Sequence, residues 1–349
     1  MMKRMNKLIT LSMTGLLLAG VAAPLSTVNA AQIKTASSAY QSSKAKATYK
    51  YAKKMLVKNR TGFSGKTSYI FSKKAYPDSG AAYGYSDLLL GLKGFGYKFT
   101  KTQQNRVKNS LILNKKSTPA NLANAIIAVR AVGLNPQKLR KTGAKTTLNL
   151  VSALYHRSMT KQTVNVQSQA LIALSTGSYK RPSNAKFTKN GLSNLIVKNQ
   201  LGNHGWAYNN QAASADSDTT AMAVTALARG KSTSSAVKSA IVKGQSFLKD
   251  AVRPNGAFGY TFKDKVYTNA NSTAEAIIAF STKQSTVKLV NGYFKSNQTT
   301  SPMRAMLSYV RSTGSIKGAT TQTLGVGQVN LANAAYRQAL AHRSIYSIK

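Results

Sequence analysis

A short apolar motif recurs six times along the chain, and this repeat limits the possible folds more than any other feature of the sequence. Its clearest sign is Asn121–Ala125, which returns unchanged as Asn330–Ala334. The copies align at Leu88, Ala125, Ala170, Ala223, Ala276 and Ala334, with spacings of 37, 45, 53, 53 and 58 residues. Six copies at such a period indicate an array of one supersecondary unit.

A second kind of segment lies between the copies. These stretches are amphipathic, with apolar residues three and four apart and lysines on the remaining face. They are Tyr49–Lys58, Gln103–Leu113, Thr146–His156, Leu192–Gln200, Ala236–Val252 and Met303–Val310. The small, nearly uncharged motif suits an inner helix that packs closely on both sides, and the amphipathic stretches suit an outer layer. The sequence therefore predicts an all-α fold, an α6/α6 toroid of about six helix pairs, with an open solenoid as the alternative.

The first thirty residues have the pattern of a secretory signal peptide. Lys3, Arg4 and Lys7 precede an apolar run, and Val28-Asn29-Ala30 supplies small residues at a cleavage position. An uncleaved membrane anchor is the alternative. We predict a signal peptide at 1–30, a flexible leader rich in Ser, Ala and Lys at 31–46, and a single toroid domain at 47–349. Secretion is expected, with any attachment to the cell surface non-covalent.

The charge is strongly one-sided. Lys and Arg number 50 against 7 Asp and Glu, which gives a formal net charge of +43. The cations are dispersed along the chain, and no nucleic-acid-binding motif accompanies them, so we expect no nucleic-acid partner. A dispersed lysine surface suits a polyanion such as a teichoic acid-like cell-wall polymer, an anionic lipid or an acidic glycan. The alternative is a charge that only keeps the protein soluble.

Several kinds of catalytic and metal site are disfavoured by the residue counts. The chain has no cysteine, and its three histidines, His156, His204 and His342, fall at non-equivalent places in the repeat. Disulfides and thiolate metal sites are therefore excluded, and we expect neither a metal nor another cofactor. Glycoside hydrolysis needs a carboxylate pair. Glu275 looks like a first-turn polar residue, and the sequence does not show that Asp78 or Asp87 faces it.

The best-preserved part of the repeat runs from about 165 to 280. A Gly-aromatic turn containing Trp206 and Tyr208 leads into Asp216, and a second turn containing Phe258 and Tyr260 leads into Asn269. This pattern resembles the prenyltransferase/squalene-cyclase repeat family, the terpenoid cyclase and protein prenyltransferase-like proteins. The resemblance implies an α/α toroid. It also covers non-catalytic relatives, among them the cobalamin carriers and many secreted bacterial proteins.

The Asp216-x-Asp218 motif is similar to the acidic signature of the hopene-type cyclases. The resemblance implies that Asp218 would be a proton donor and Asp216 its neighbour, although Thr219 stands where the family has a third Asp. The repeat favours another interpretation. Asp216 aligns with Asn269 and Asp218 with Asn271, and Asn cannot donate such a proton. Since Asp and Asn both cap helix N-termini, we predict that both positions are caps.

These observations favour a secreted, strongly basic, non-catalytic binding protein associated with the cell envelope. If the inner helices run parallel, as the resemblance implies, their N-termini meet at one mouth of the ring, where a small ligand could bind. The candidate ligand-binding residues are Trp206, Tyr208, Asp216, Asp218, Phe258, Tyr260, Asn269 and Asn271, with no catalytic residue favoured. The alternative for the aromatic residues is a place in the core. The alternative function is a proton-initiated terpenoid cyclase that uses Asp218 and Asp216.

Overall fold

Helices alternate between two layers along the chain. The computed structural model describes residues 33–57, 84–111, 117–209, 214–262 and 265–348. The helices are α1 (Ser38–Val57), α2 (Tyr85–Gly94), α3 (Lys101–Ser110), α4 (Pro119–Ala131), α5 (Leu150–Tyr155), α6 (Val164–Leu174), α7 (Lys189–Lys198), α8 (Ser217–Gly230), α9 (Ser235–Ala251), α10 (Ala270–Phe280), α11 (Gln284–Val287), α12 (Pro302–Ser308) and α13 (Gln322–Leu340). The all-α prediction is confirmed.

The six copies of the repeated motif form the inner helices α2, α4, α6, α8, α10 and α13. Each packs against the next in this order, and α13 packs against α2, so their contacts form a closed cycle. An open solenoid would leave its first and last inner helices apart. The closed cycle is therefore the arrangement that the inner ring of an α6/α6 toroid requires.

The outer layer follows the amphipathic stretches. All six stretches overlap helices: α1, α3, α5, α7, α9 and α12. Helix α1 packs on α13 and α2, α3 and α5 pack on α4, α7 lies between α6 and α8, α9 packs on α8, and α12 packs on α10. Each outer helix thus covers the inner helices next to it. The apolar face of each stretch predicted this, because such a face is stable only when buried.

The first described segment differs from the expected flexible leader. Helix α1 begins at Ser38, and Ala36 and Ala45 are buried. Before the helix, the Lys34 N–H donates to the carbonyl of Thr299, and the Ser301 N–H donates to the carbonyl of Lys34. Residues 33–46 are therefore part of the packed domain. The composition misled the prediction, because small residues such as alanine are common in linkers and also pack well against a folded surface. The predicted signal peptide at 1–30 lies outside the described residues.

Two short strands interrupt the helical pattern between α9 and α10. They are β1 (Phe258–Phe262) and β2 (Lys265–Asn269), which pair antiparallel with Phe258 opposite Asn269. At the equivalent place between α7 and α8, Trp206 and Asp216 form an isolated bridge. The turns that the sequence places before α8 and α10 are thus built alike. Within the described ranges, no helix is both long and apolar enough to cross a membrane.

The ring closes through glycine contacts between α2 and α13. A Cβ atom on Gly327 would lie 2.7 Å from the backbone nitrogen of Leu88, and one on Gly91 would lie 2.9 Å from the Cβ atom of Asn330. Real Cβ atoms are not found at such distances from their neighbours. The two helices therefore touch backbone to backbone, which only the absence of side chains permits.

We expect Gly327→Ala to destabilise the protein by about 1–3 kcal/mol, because the new methyl group forces α13 away from α2. The measurement is the free energy of unfolding in urea. Gly202→Ala is the matched control, since no atom lies within 4 Å of a Cβ built at that position. Equal stabilities for the two variants would contradict backbone contact at the ring closure.

Candidate functional site

The turns before α8 and α10 use the same hydrogen bonds. The Asp216 carboxylate accepts from the Thr219 N–H at 2.7 Å, and the Asn269 side chain accepts from the Ser272 N–H at 2.8 Å. Both residues are N-caps with extended backbone angles. The predicted capping role of Asp216 and Asn269 is therefore confirmed.

The aromatic residue of each turn is fixed by a threonine one turn into the helix. The N–H groups of Trp206 and Phe258 donate to the hydroxyls of Thr220 and Thr273, both at 3.0 Å. The Trp206 indole N–H also donates to the carbonyl of Ile196 at 2.7 Å. Both aromatic side chains are fully buried. Trp206 and Phe258 thus take the core role that was the alternative to ligand binding.

The other two predicted aromatic residues lie at the surface. Tyr208 is 65% exposed and Tyr260 is 50% exposed, and Tyr260 stacks on Tyr267 with ring centroids 5.5 Å apart. Their role in ligand binding stays a prediction.

The prediction that Asp218 caps its helix is wrong. Asp218 lies inside α8, two residues after the N-cap, where helical backbone angles turn its side chain away from the first-turn N–H groups. Its carboxylate instead accepts from the Ser272 hydroxyl of α10 at 3.1 Å. The equivalent Asn271 is also not a cap, because its amide donates to Gln328 of α13. Both side chains reach the lumen, defined here as the space enclosed by the inner helices.

A second layer of polar side chains lies beside Asp218 in the lumen. The Gln328 amide of α13 donates to the Glu275 carboxylate of α10 at 2.7 Å, and it also hydrogen-bonds Asp87 of α2. The Ser86 hydroxyl, next to Asp87, donates to the Asn124 side-chain oxygen of α4 at 3.2 Å. Side chains from five inner helices thus meet around three carboxyl groups. We call Asp87, Asp218 and Glu275 the carboxyl cluster.

Asp87 and Glu275 face one lumen, which sequence reasoning missed. The repeat alignment held the signal, because Asp87 directly precedes Leu88 and Glu275 directly precedes Ala276. Equivalent positions in a closed ring point to the same centre. Glu275 is also the sixth residue of α10 and not a first-turn residue as expected. Asp78, the other acid considered as a partner, lies outside the described residues.

Burial raises the pKa of every member of the carboxyl cluster. The pKa values of Asp87 and Asp218 rise to about 6, although hydrogen bonds from neighbouring serine hydroxyls oppose the shift. The pKa of Glu275 is raised further, first by burial and then by the negative charges of Asp87 and Asp218. Asp87 and Asp218 thus become mostly neutral acids only below about pH 6, whereas the neutral acid persists to higher pH at Glu275 than at an ordinary glutamate. Such groups can donate hydrogen bonds or a proton to a bound molecule.

The far end of the lumen is occupied by the C-terminal segment 344–348. Ile345, Tyr346 and Ile348 are buried there. The pKa of Tyr346 is raised well above its usual value, first by burial and then by the charges of Glu275 and Asp87. Its phenol therefore lies near the carboxyl cluster. The cluster is bounded by the ring on its sides and by Tyr346 at this end.

Comparisons with known proteins find a likeness only among solved structures. No family model and no curated protein matches the chain. Solved structures similar to it include two of the type II terpene cyclase MstE from Scytonema. One variant is in complex with geranylgeranyl dihydroxybenzoate, its substrate, at 12% identity, and another is with merosterolic acid A, its product, at 11% identity. Each match covers 86% of this chain and 98% of the other, with a TM-score of 0.49. At this identity and TM-score the likeness carries no argument about activity.

We expect Glu275→Gln to raise the melting temperature at pH 8 but not at pH 4. A carboxyl whose pKa is raised by folding binds more protons in the folded than in the unfolded state. The wild type therefore loses stability as pH rises from about 4 through the folded pKa, by about 1.4 kcal/mol for each pH unit that separates the unfolded from the folded pKa. Glutamine removes this loss and keeps an oxygen that can accept from Gln328.

The measurement is thermal unfolding of both proteins at pH steps from 4 to 8. Asp250→Asn is the control, because Asp250 is exposed at the end of α9 and its replacement removes one negative charge outside the lumen. A difference between Glu275→Gln and wild type that stays constant with pH would contradict a raised pKa at Glu275.

Proposed function

We propose that this protein is a secreted, non-catalytic binding protein of the cell envelope. Its cationic exterior holds it to anionic surface polymers, and its lumen takes a small polar ligand. The observation that carries the proposal is the separation of charges by sign. Acidic side chains gather inside the ring, whereas the far more numerous basic side chains face outward.

The separation is visible in the surroundings of the acids. Three of the chain's 7 acidic residues form the half-buried carboxyl cluster, and among the described residues no lysine or arginine charge shifts the pKa of any of the three. Few acids remain to neutralise the exterior. The outer surface therefore carries an almost unopposed positive field, which attracts polyanions without a shaped site.

A phosphate-bearing wall polymer of the teichoic acid type fits this surface best. Dispersed lysines match a long, flexible, evenly charged chain, which can contact many of them at once. Nucleic acid is disfavoured because the sequence holds no motif that reads bases or places a helix in a groove. The signal peptide predicted at 1–30 would deliver the protein to the compartment in which wall polymers lie.

The lumen suits a ligand rich in hydrogen-bonding groups. Its lining is polar, with half-buried amides on Asn124, Asn165 and Gln328 beside the carboxyl cluster. The side-chain oxygen of Asn165 is buried without a hydrogen-bond partner. A polyhydroxylated molecule would pair with such groups, which both donate and accept.

We expect the mature protein, residues 31–349, to bind intact cell walls at low salt and to lose about tenfold or more of that binding by 0.5 M salt, because the Debye length falls well below 8 Å. Walls stripped of teichoic acid should retain little protein. The measurement is sedimentation of labelled protein with each wall preparation across a salt series. Binding that persists on stripped walls and ignores salt would overturn the proposal.

A proton-initiated terpenoid cyclase is the second candidate, and the position of Asp218 favours it. Asp218 faces the lumen, its pKa is raised to about 6, and Ser272 donates to it, as a proton donor would require. The polar lining weighs against this function. Carbocation intermediates are stabilised by aromatic faces, whereas Trp206 and Phe258 are buried in the core and carboxylates line the lumen.

Asp218→Asn separates the two candidates. A binding protein should keep its wall binding unchanged, whereas a cyclase should lose all product from squalene or a shorter polyprene. The readout is product analysis by mass spectrometry beside the wall-binding measurement. Asp216→Asn is the control, because asparagine caps a helix as well as aspartate does. A cyclised product from the wild type and the control, but not from Asp218→Asn, would establish the cyclase.

A further inference from the structure

A cationic cleft lies at the end of the ring opposite the mouth formed by the inner-helix N-termini. It has a volume of about 820 Å³ and lies where α4, α6 and α8 end. Five basic residues line it, and no Asp or Glu is among its lining residues: the five are Arg130, Lys180, Lys189, Arg229 and Lys231. We call it the basic cleft.

The cations of the basic cleft are close enough to repel one another. The pKa of Lys189 is lowered, first by burial and then by the charges of Arg229 and Lys231. The hydrogen bonds that the structure gives the two arginines are to neutral groups. Arg130 donates to the carbonyl of Ile348, and Arg229 donates to the Ser347 hydroxyl at 3.1 Å. Among the described residues that line the cleft, no Asp or Glu neutralises these positive charges.

Three buried polar atoms in the lining have no hydrogen-bond partner among the described residues. They are the Nε atoms of Arg130 and Arg229 and the hydroxyl oxygen of Ser175. A buried donor without a partner is costly and uncommon in folded proteins. All three can donate, so together they suit an acceptor that the described residues do not supply.

The electrostatics of helix ends explains the position of only some of the cations in the basic cleft. Arg130 and Arg229 lie in the last turns of α4 and α8, where a cation offsets the partial negative charge of the helix end. That effect does not account for Lys180 or Lys189. Lys231 is the C-cap of α8, with a left-handed backbone at φ of 55°, so the helix end accounts for its position as well.

We propose that the basic cleft binds an oxyanion with two or more phosphate groups. Several cations without a counter-charge match a multiply charged ligand, and a guanidinium can hold phosphate oxygens through two parallel N–H groups. The cleft volume leaves room for more than one phosphate. This site is separate from the attraction between the dispersed exterior charge and wall polymers, and it does not depend on the proposed function.

The probe is sodium tripolyphosphate, titrated calorimetrically into the full mature chain at 0.15 M salt. We expect one saturable site per chain. Lys189→Gln and Arg229→Gln should each weaken binding about tenfold or more, because each removes a charge at the cleft. Lys238→Gln is the control of equal charge change, since Lys238 is exposed on α9 and does not line the cleft. It should change the affinity less than twofold.

A parallel titration uses an oligomer of glycerol phosphate. Saturable binding that the cleft variants weaken supports the site in either arm. Binding of tripolyphosphate indicates that the ligand is a soluble phosphate compound. Binding of the glycerol phosphate oligomer alone indicates that the ligand is a phosphate polymer. Binding that no cleft variant weakens more than Lys238→Gln would overturn the proposal, as would no saturable binding of either probe. Thermal unfolding of each variant tests whether the fold is intact. If Arg229→Gln loosens the segment around Ser347, Lys189→Gln alone decides the outcome.

Discussion

Close backbone contact between small-residue helices is the constraint on which the rest of the structure depends. Gly91 and Gly327 let α2 and α13 touch, and this contact completes the cycle of inner helices. A closed cycle encloses a lumen, whereas an open row of helices would expose the same side chains to water. Carboxyl groups in that lumen lose hydration, which is why the pKa values of Asp87 and Asp218 rise to about 6. The raised pKa values of the carboxyl cluster thus depend on the packing of glycines that carry no functional group.

The inner helices run in the same direction, so one end of the ring has their N-termini and the other end has their C-termini. The acids Asp87 and Asp218 lie near helix N-termini, and the bases Arg130 and Arg229 lie in last turns. Each sign offsets the partial charge of the helix ends around it. The two ends therefore differ: one carries a cluster of acids with raised pKa values, and the other carries a cleft of cations with no Asp or Glu among its described lining residues. The proposed ligands differ accordingly, a hydrogen-bonding molecule in the lumen and a phosphate oxyanion in the cleft.

Local patterns predicted the elements well and the contacts between them less well. Every amphipathic stretch overlaps an outer helix, and Asp216 and Asn269 are the predicted caps, because helical periodicity and capping depend on neighbours a few residues away. Asp218 was assigned wrongly because Asp and Asn suit both an N-cap and a first-turn position that faces the lumen. Residues 33–46 were assigned wrongly to a flexible leader because their alanines suit a linker and a packed surface equally.

The sequence by itself determined the repeat, the all-α class and the excess of positive charge, since all three are properties of composition and short-range spacing. Only the tertiary structure decided which polar residues meet. Asp87 and Glu275 are far apart along the chain, and they share a lumen because α13 packs between α2 and α10 and places Gln328 against both. The basic cleft depends likewise on Arg130 and Arg229, which lie on helices that are not neighbours in the ring. Such meetings depend on ring closure, a long-range condition that no local period of the sequence contains.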